Sequence, residues 1–224
     1  MTQRIALIHA TALAMAPIQN AFQRLWPQAQ CMNLLDDSLS RDLAQTGSLT
    51  PAMVQRFVDL AHYVQGTGCS GVLFTCSAFG PAIEAAAQAS GLPTLKPNEA
   101  MFDQALQTPA ASGRLSVGLV ATFEASLASM SVELQAMAQA RGQAVDVHTV
   151  FVPEAMADLA AGQAELHHQK IAKSLAQLPP CDVVMLAQFS MAAAQPLAQR
   201  HSAVPVLSSP DCAVLALQLA MHHV

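Results

Sequence analysis

The sequence predicts an α/β fold made of two pseudo-symmetric domains, each a mostly four-stranded parallel sheet flanked by helices. Three observations carry this. Short apolar runs of strand length alternate with helical segments of about ten to fifteen residues, the pattern of βαβ units. The pattern restarts near the middle of the chain. The two halves then match at a nearly constant offset: Cys76 falls opposite Gln188 and Pro93 opposite Pro205 (188 − 76 and 205 − 93 both give 112), and Thr11 falls opposite Thr122 at 111.

In the first half, Arg4 to Ala10 reads as a strand ending at Thr11, and Pro17 opens a helix to about Leu25. Cys31 to Leu35 is a second strand, stopped by Asp36-Asp37-Ser38, and Ser40 to Ala44 is a short helix. Thr50 is placed as the N-cap and Pro51 as the first residue of a longer helix reaching about Thr67. Val72 to Phe74 is a buried strand, Pro81 to Ser90 a helix closed by Gly91, and Leu92 to Leu95 a fourth strand. The second half repeats the scheme. Strands are expected at Leu115 to Ala121, Val145 to Phe151, Val183 to Leu186 and Val204 to Leu207. Helices are expected at Ser126 to Arg141, Gln163 to Leu178 and Ala192 to Arg200, with a loop and short helix from Pro153 to Gly162. Pro210-Asp211 opens a last helix that is expected to return to the first domain. The expected division is therefore 1–99 plus 208–224, and 100–207.

Repetition of a whole α/β domain indicates two flavodoxin-like halves related by a pseudo-twofold axis, with the ligand site expected in the cleft where their strand ends meet.

Composition narrows the function. With 224 residues, the chain can bury one large or two small cores. Its net charge is −5, and its ten Lys and Arg are scattered, which gives no footprint for nucleic acid or an anionic membrane. No apolar run is long enough to span a bilayer. Arg4 followed by Ile5 to Ala16 mimics a signal peptide, but His9 interrupts the apolar region, so the expected location is cytoplasmic. The low charged fraction of 11% fits either surface buried in a homo-oligomer or simply an alanine-rich composition. Five cysteines without CxxC spacing argue against a disulfide framework or structural zinc site. No nucleotide, zinc-protease or serine-hydrolase motif is present.

The chemistry is expected at Thr75-Cys76-Ser77, where the apolar run Val72 to Phe74 stops before a helix. Ligands of open α/β sheets sit outside the carboxyl ends of strands and face helix N-termini. A cysteine placed there is expected to have a lowered pKa. Cys76 is the candidate acid or base, and Thr75 and Ser77 are candidate carboxylate contacts. Thr11 and Thr122 end matching strands and could touch ligand or merely cap turns. Gln188 and Ser190 could donate to substrate oxygens, with Phe189 between them. His9 could tune a thiolate or be a satisfied interior residue. Asp36 and Asp37 could bind an amine or cap the loop, and Lys96 and Asn98 could anchor a carboxylate at the mouth of the site or be merely surface residues. The pairs His167-His168 and His222-His223 lack i, i+4 metal spacing and are expected at the surface. The eleven Met residues are expected to fill the core.

Phe74-Thr75-Cys76-Ser77 before a helix, with Leu186-Ala187-Gln188-Phe189-Ser190-Met191-Ala192 at the matched place, resembles the aspartate/glutamate/hydantoin racemase superfamily. The resemblance extends over essentially the whole chain. It implies a cofactor-independent racemase or isomerase that moves a proton at the carbon next to the carboxylate of a small acid. The superfamily's racemases use two cysteines at these matched positions, and here the second position holds Gln188. An amide cannot exchange protons as a thiol does. Cys181 precedes its strand, and Cys212 lies off the matched position. Single-cysteine members resembling arylmalonate decarboxylase imply the alternative of one-sided protonation by Cys76, in mirror relation to an enzyme whose cysteine is in the second half. A non-catalytic binder of small carboxylates is the alternative from another class.

Overall fold

The computed structural model describes residues 3–222. The chain divides into two compact units, Met1–Ala100 together with Ala213–Val224, and Met101–Cys212.

The first unit is built on four parallel strands, β1 (Arg4–His9), β2 (Gln30–Leu35), β3 (Gly71–Phe74) and β4 (Thr94–Leu95), in the order β2-β1-β3-β4. The central strands are apolar between Arg4 and His9 of β1 and along all of β3, as a parallel sheet covered by helices on both faces requires. One face, carried by Ala6, Ile8, Ala10, Val72 and Phe74, packs on Phe57, Ala61 and Val64 of α3 (Pro51–Gly66) and on Ala82, Ile83 and Ala86 of α4 (Gly80–Ser90). Phe57 stacks on Phe74 with ring centroids 5.2 Å apart and tilts against Phe79. The expected cap is present: Thr50 Oγ1 accepts the Met53 N–H, and Pro51 opens the helix. The first unit also holds α1 (Met15–Leu25) and α2 (Ser38–Thr46).

The second unit repeats this order. Strands β5 (Leu115–Ala121), β6 (Val145–Phe151), β7 (Val183–Leu186) and β8 (Val206–Ser208) are parallel and lie in the order β6-β5-β7-β8. The registers coincide as well. Ile8 pairs with Phe74 and Val120 with Leu186, so both partners shift by 112 (120 − 8 and 186 − 74). Val72↔Thr94 and Val184↔Val206 repeat the same shift. Gly118 of β5 has a packing reason, because a Cβ there would stand 2.6 Å from Leu178 Cδ1.

This register corrects one alignment. At a shift of 112 the counterpart of Thr122 is Ala10, and Thr11 lies one residue beyond it. Thr11 instead accepts the Leu13 N–H and caps the 3-10 turn Ala12–Ala14 that precedes α1. A further helix, α5 (Glu99–Leu106), runs across the boundary between the units and was not expected from the sequence. It is only eight residues long and begins two residues after Pro97, so its apolar positions span barely two turns. After α6 (Ala125–Ala140) come α7 (Ala155–Ala160), α8 (Ala164–Ser174), α9 (Gln195–Arg200) and α10 (Ser209–His222). From Ala213 onward α10 belongs to the first unit, where Leu217 and Met221 approach Gly71 of β3.

The histidine pair of α8 is not at the surface. His167 is 0% exposed and shares the inner face of α8 with Ile171 and Ser174. Neither ring nitrogen of His167 has a hydrogen-bond partner. His168 is half-buried. His223 lies outside the described residues, and only the backbone of His222 is described. Burial, with a smaller contribution from His168, pushes His167 down to about 4, against a weaker opposing pull from Asp158. A histidine with a folded pKa below its unfolded 6.5 takes up its proton preferentially in the unfolded chain between those values. Stability should therefore fall as pH drops from about 6.5 toward 4. His167→Leu should show a smaller loss of Tm between pH 7 and pH 4.5 than the parent protein. Equal losses in the two proteins, measured by circular dichroism melts, would show that His167 does not titrate on unfolding.

Candidate active site

The carboxyl end of β3 delivers three consecutive side chains to different surroundings. Strand alternation sends Thr75 to the face of Leu73 and Cys76 to the face of Phe74. Thr75 is buried, and its N–H donates to Ile8 O at 3.0 Å, which continues the β1–β3 ladder one step past the strand. Its Oγ1 lies 2.8 Å from His9 Nδ1, and His9 Nε2 lies 3.0 Å from Asn33 Oδ1. The arrangement that satisfies all three groups is a neutral imidazole, donating from Nε2 to Asn33 and accepting the Thr75 hydroxyl at Nδ1. Burial lowers the His9 pKa, and the hydrogen bond to Asn33 opposes this only in part. His9 is thus a satisfied interior residue that fixes Thr75 beside the candidate thiol.

Cys76 is half-buried and has extended backbone, φ −125° and ψ 116°. It packs against the core cluster that contains Ala10 and Phe74. Its thiol pKa is raised, contrary to the sequence expectation. Burial is the largest influence, and hydrogen bonds from the Ala78 backbone N–H and the Ser40 side chain offset it only partly. The geometry explains the reversal. The 3-10 turn Ser77–Phe79 separates Cys76 from the first residue of α4, Gly80, so the dipole of that helix acts from a distance.

Ser40 is the residue that sequence reasoning missed. It lies in the first turn of α2, and its hydroxyl also donates to Ala10 O at 3.0 Å. Its role depends on β1, β2 and β3 meeting in register, and no local sequence signal announces it. Ser77 is exposed at the start of its 3-10 turn, while Asn98 is buried immediately before α5. Lys96 is ion-paired with Glu84 at 2.8 Å and Glu99 at 3.9 Å. Asp36 accepts from Ser38 and pairs with Arg56, which also holds Asp42. Burial would raise the Asp36 pKa, but these hydrogen bonds and the guanidinium charge leave it lowered. Asp37 forms an exposed pair with Arg41. Asp36 therefore closes the loop after β2.

In the second unit the matched strand end holds Gln188, also extended at φ −114° and ψ 148°. The Thr122 N–H donates to Gln188 Oε1 at 2.9 Å and the Thr122 hydroxyl donates to the same oxygen at 3.2 Å. A backbone N–H can only donate, so this contact fixes which end of the amide is oxygen. The buried Nε2 is then turned away from Thr122 and has no partner. Phe189 is buried at the start of the 3-10 helix Phe189–Ala194, and Ser190 is half-buried. Cys181 donates to Pro179 O, and Cys212 donates to Gln104 Oε1 at 3.0 Å. Burial, with the Asp211 charge behind it, pushes the Cys212 thiol up to about 12. Neither cysteine stands in for a thiol at position 188. Among the described residues, no group of three or more His, Cys, Asp or Glu could hold a metal ion, and no helix is long and apolar enough to cross a membrane.

Comparison with known proteins places this geometry. Residues 5–217 match the model of the Asp/Glu/hydantoin racemase family. No curated protein matches the sequence. Among solved structures, a glutamate racemase of Bacillus anthracis superimposes with a TM-score of 0.69 at 14% identity, covering 99% of this chain and 82% of that one. The allantoin racemase of Klebsiella pneumoniae gives 0.69 at 15% identity, with 98% and 88% covered. An arylmalonate decarboxylase gives 0.60 at 17% identity, with 96% and 91% covered. At these identities the structures establish a shared fold, and the family model establishes the lineage over nearly the full length. The chain belongs to the Asp/Glu/hydantoin racemase family.

Proposed function

We propose that the protein is a cofactor-independent carbon-acid enzyme in which the Cys76 thiol transfers a proton at the carbon alpha to the carboxylate of a small acid. The observation that carries this reading is the place of Cys76: a half-buried thiol at a strand end, its pKa raised by burial, with the Ala78 N–H directed at it and the Ser40 hydroxyl beside it. A general acid must hold its proton until the transition state and then bear the resulting charge. Burial meets the first requirement, and the Ala78 N–H meets the second, joined by the Ser40 hydroxyl when it turns from Ala10 O to the thiolate.

The direction of transfer follows from position 188. Two-base proton exchange needs a second acid–base group, and at the position that matches Cys76 in the second unit the Gln188 amide cannot be one. One-sided delivery is therefore the favoured mechanism. In its decarboxylating form the bond from the α-carbon to one carboxylate breaks, and CO2 leaves. The electron pair stays on the substrate as an enediolate. The Cys76 S–H proton then passes to the α-carbon, leaving a thiolate that water reprotonates. An isomerase of a dicarboxylate would use the same acid. Racemisation is the second reading, supported by the family match and by the two racemases among the structural neighbours.

The test is a panel of amino acids, hydroxy acids, dicarboxylates and disubstituted malonates incubated in deuterated water with wild type and Cys76→Ala. One-sided delivery predicts CO2 release or isomerisation with a single deuterated enantiomer, and a loss of at least about 100-fold in rate in Cys76→Ala. Racemisation would instead scramble configuration with deuterium incorporation. Indistinguishable rates in the two proteins would remove Cys76 from the mechanism.

Ser40 gives a separate check. Its removal takes away a donor that favours the thiolate. In Ser40→Ala, iodoacetamide labelling of the Cys76 peptide should titrate at higher pH than in the parent and run several-fold slower at pH 8. An unchanged labelling profile would mean that Ser40 serves only the Ala10 carbonyl.

A further inference from the structure

Besides the His167 ring nitrogens and Asp158 Oδ2, which is ion-paired with Lys170, the buried side-chain atoms of the second unit without a hydrogen-bond partner, among the described residues, are Gln188 Nε2 and Ser208 Oγ. Ser208 is the last residue of β8, immediately precedes α10, and is 1% exposed. A serine in that position ordinarily accepts the N–H of the second or third helical residue. The second residue of α10 is Pro210, which has no N–H to offer. Of the two usual donors only the Asp211 N–H remains, and the hydroxyl has no hydrogen-bond partner at the positive end of this 14-residue helix.

The sheet brings the two atoms to the same side. Leu186 of β7 pairs with Ser208 of β8, and Leu186 and Val206 belong to one core cluster. Ser208 lies two residues beyond Val206. Gln188 lies two residues beyond Leu186, its backbone still extended, and the Ala187 N–H still bonds Val120 O. Alternation along a strand then places both side chains on the face of Leu186, on adjacent strands, one pleat apart. The Thr122 clamp on Oε1 holds the donor end of Gln188 away from β5. Burying a donor and a hydroxyl unpaired on one face is costly unless something accepts from them.

We propose that Ser208 Oγ, Gln188 Nε2 and the amino end of α10 form a subsite for a carboxylate oxygen of the ligand. This rests on the carboxylic-acid ligand of the proposed function, and it adds Ser208 to the residues that recognise it. The Asp211 carboxylate shares the first turn of α10 and offsets part of the helix dipole, so hydrogen bonds rather than net charge must hold the oxygen. The hydroxyl should consequently serve binding at the expense of stability.

The experiment compares wild type, Ser208→Ala and Gln188→Glu by thermal melts and by calorimetric titration with malonate, phenylmalonate, aspartate and glutamate. Gln188→Glu keeps an acceptor for the Thr122 N–H and replaces the donor by an anion. The expected result is that Ser208→Ala melts no lower than wild type without ligand, yet binds the best carboxylate about tenfold more weakly. Gln188→Glu should bind it more weakly still. A lower unliganded Tm in Ser208→Ala would show that the hydroxyl already has a structural partner such as a trapped water, and would overturn the subsite. Wild-type affinity in Ser208→Ala, or no binding of any of these acids by wild type, would overturn it as well. The same titrations on Cys76→Ala separate this proposal from the catalytic one. Binding retained with turnover lost supports both. Binding retained with turnover unchanged keeps the subsite and removes the proposed acid.

Discussion

Everything chemical in this chain depends on the register of two parallel strand pairs, β1–β3 in the first unit and β5–β7 in the second. Both pairs are buried on both faces, and a slip of one residue would exchange every inward and outward side chain. The register therefore fixes which residue leaves each ladder and on which face. Two positions past Phe74 it delivers a thiol, and two positions past Leu186 it delivers an amide. The helices that cover those faces, α3 and α4 in the first unit, make the register expensive to change. Fold and site are thus consequences of one set of backbone hydrogen bonds.

At both strand ends the governing contest is between burial and hydrogen bonding. Burial wins at His9 and at Cys76, leaving a neutral imidazole and a protonated thiol. Hydrogen bonds and a guanidinium win at Asp36, which stays ionised and holds the loop after β2 to Arg56. The outcome follows how many donors each group gathers. Asp36 receives two from Ser38 besides the one from Arg56, whereas Cys76 has one backbone N–H, and the Ser40 hydroxyl beside it donates to Ala10 O. The end of β3 therefore carries hydroxyls and a thiol rather than fixed charges.

The architecture was legible in the sequence because it is written in period and punctuation. Apolar runs ended by Thr, Asp or Gly marked the strands, and the common offset of Cys76 to Gln188 and Pro93 to Pro205 marked the repeat. What escaped was whatever depends on elements distant in sequence. Thr11 looks like the partner of Thr122 by position, yet the ladder register assigns that place to Ala10 and leaves Thr11 as a cap. Ser40 approaches Cys76 only because α2 returns over the end of β1. His167 reads as half of a polar pair, but α8 turns it inward beside Ile171, and only the packed helix reveals that. The thiol's pKa was misjudged for a similar reason. A helix could be seen downstream, but the intervening 3-10 turn and the depth of burial could not.

Gln188 is more than the absence of a second cysteine. The Thr122 N–H and hydroxyl both spend their protons on Gln188 Oε1, so the amide closes the end of β5 as well as occupying the matched position. A thiol there would be a weak acceptor and would leave that backbone N–H poorly satisfied in a buried setting. Conversion to a two-cysteine arrangement thus requires more than the substitution itself: Thr122 would need a new acceptor and the sheet end a new closure. The same bond that makes the amide structurally useful also points its nitrogen away from β5. One residue can thereby stabilise the strand end and present a donor to a ligand, a combination unavailable to a cysteine. The amide at the matched position is thus built into the packing of the second unit.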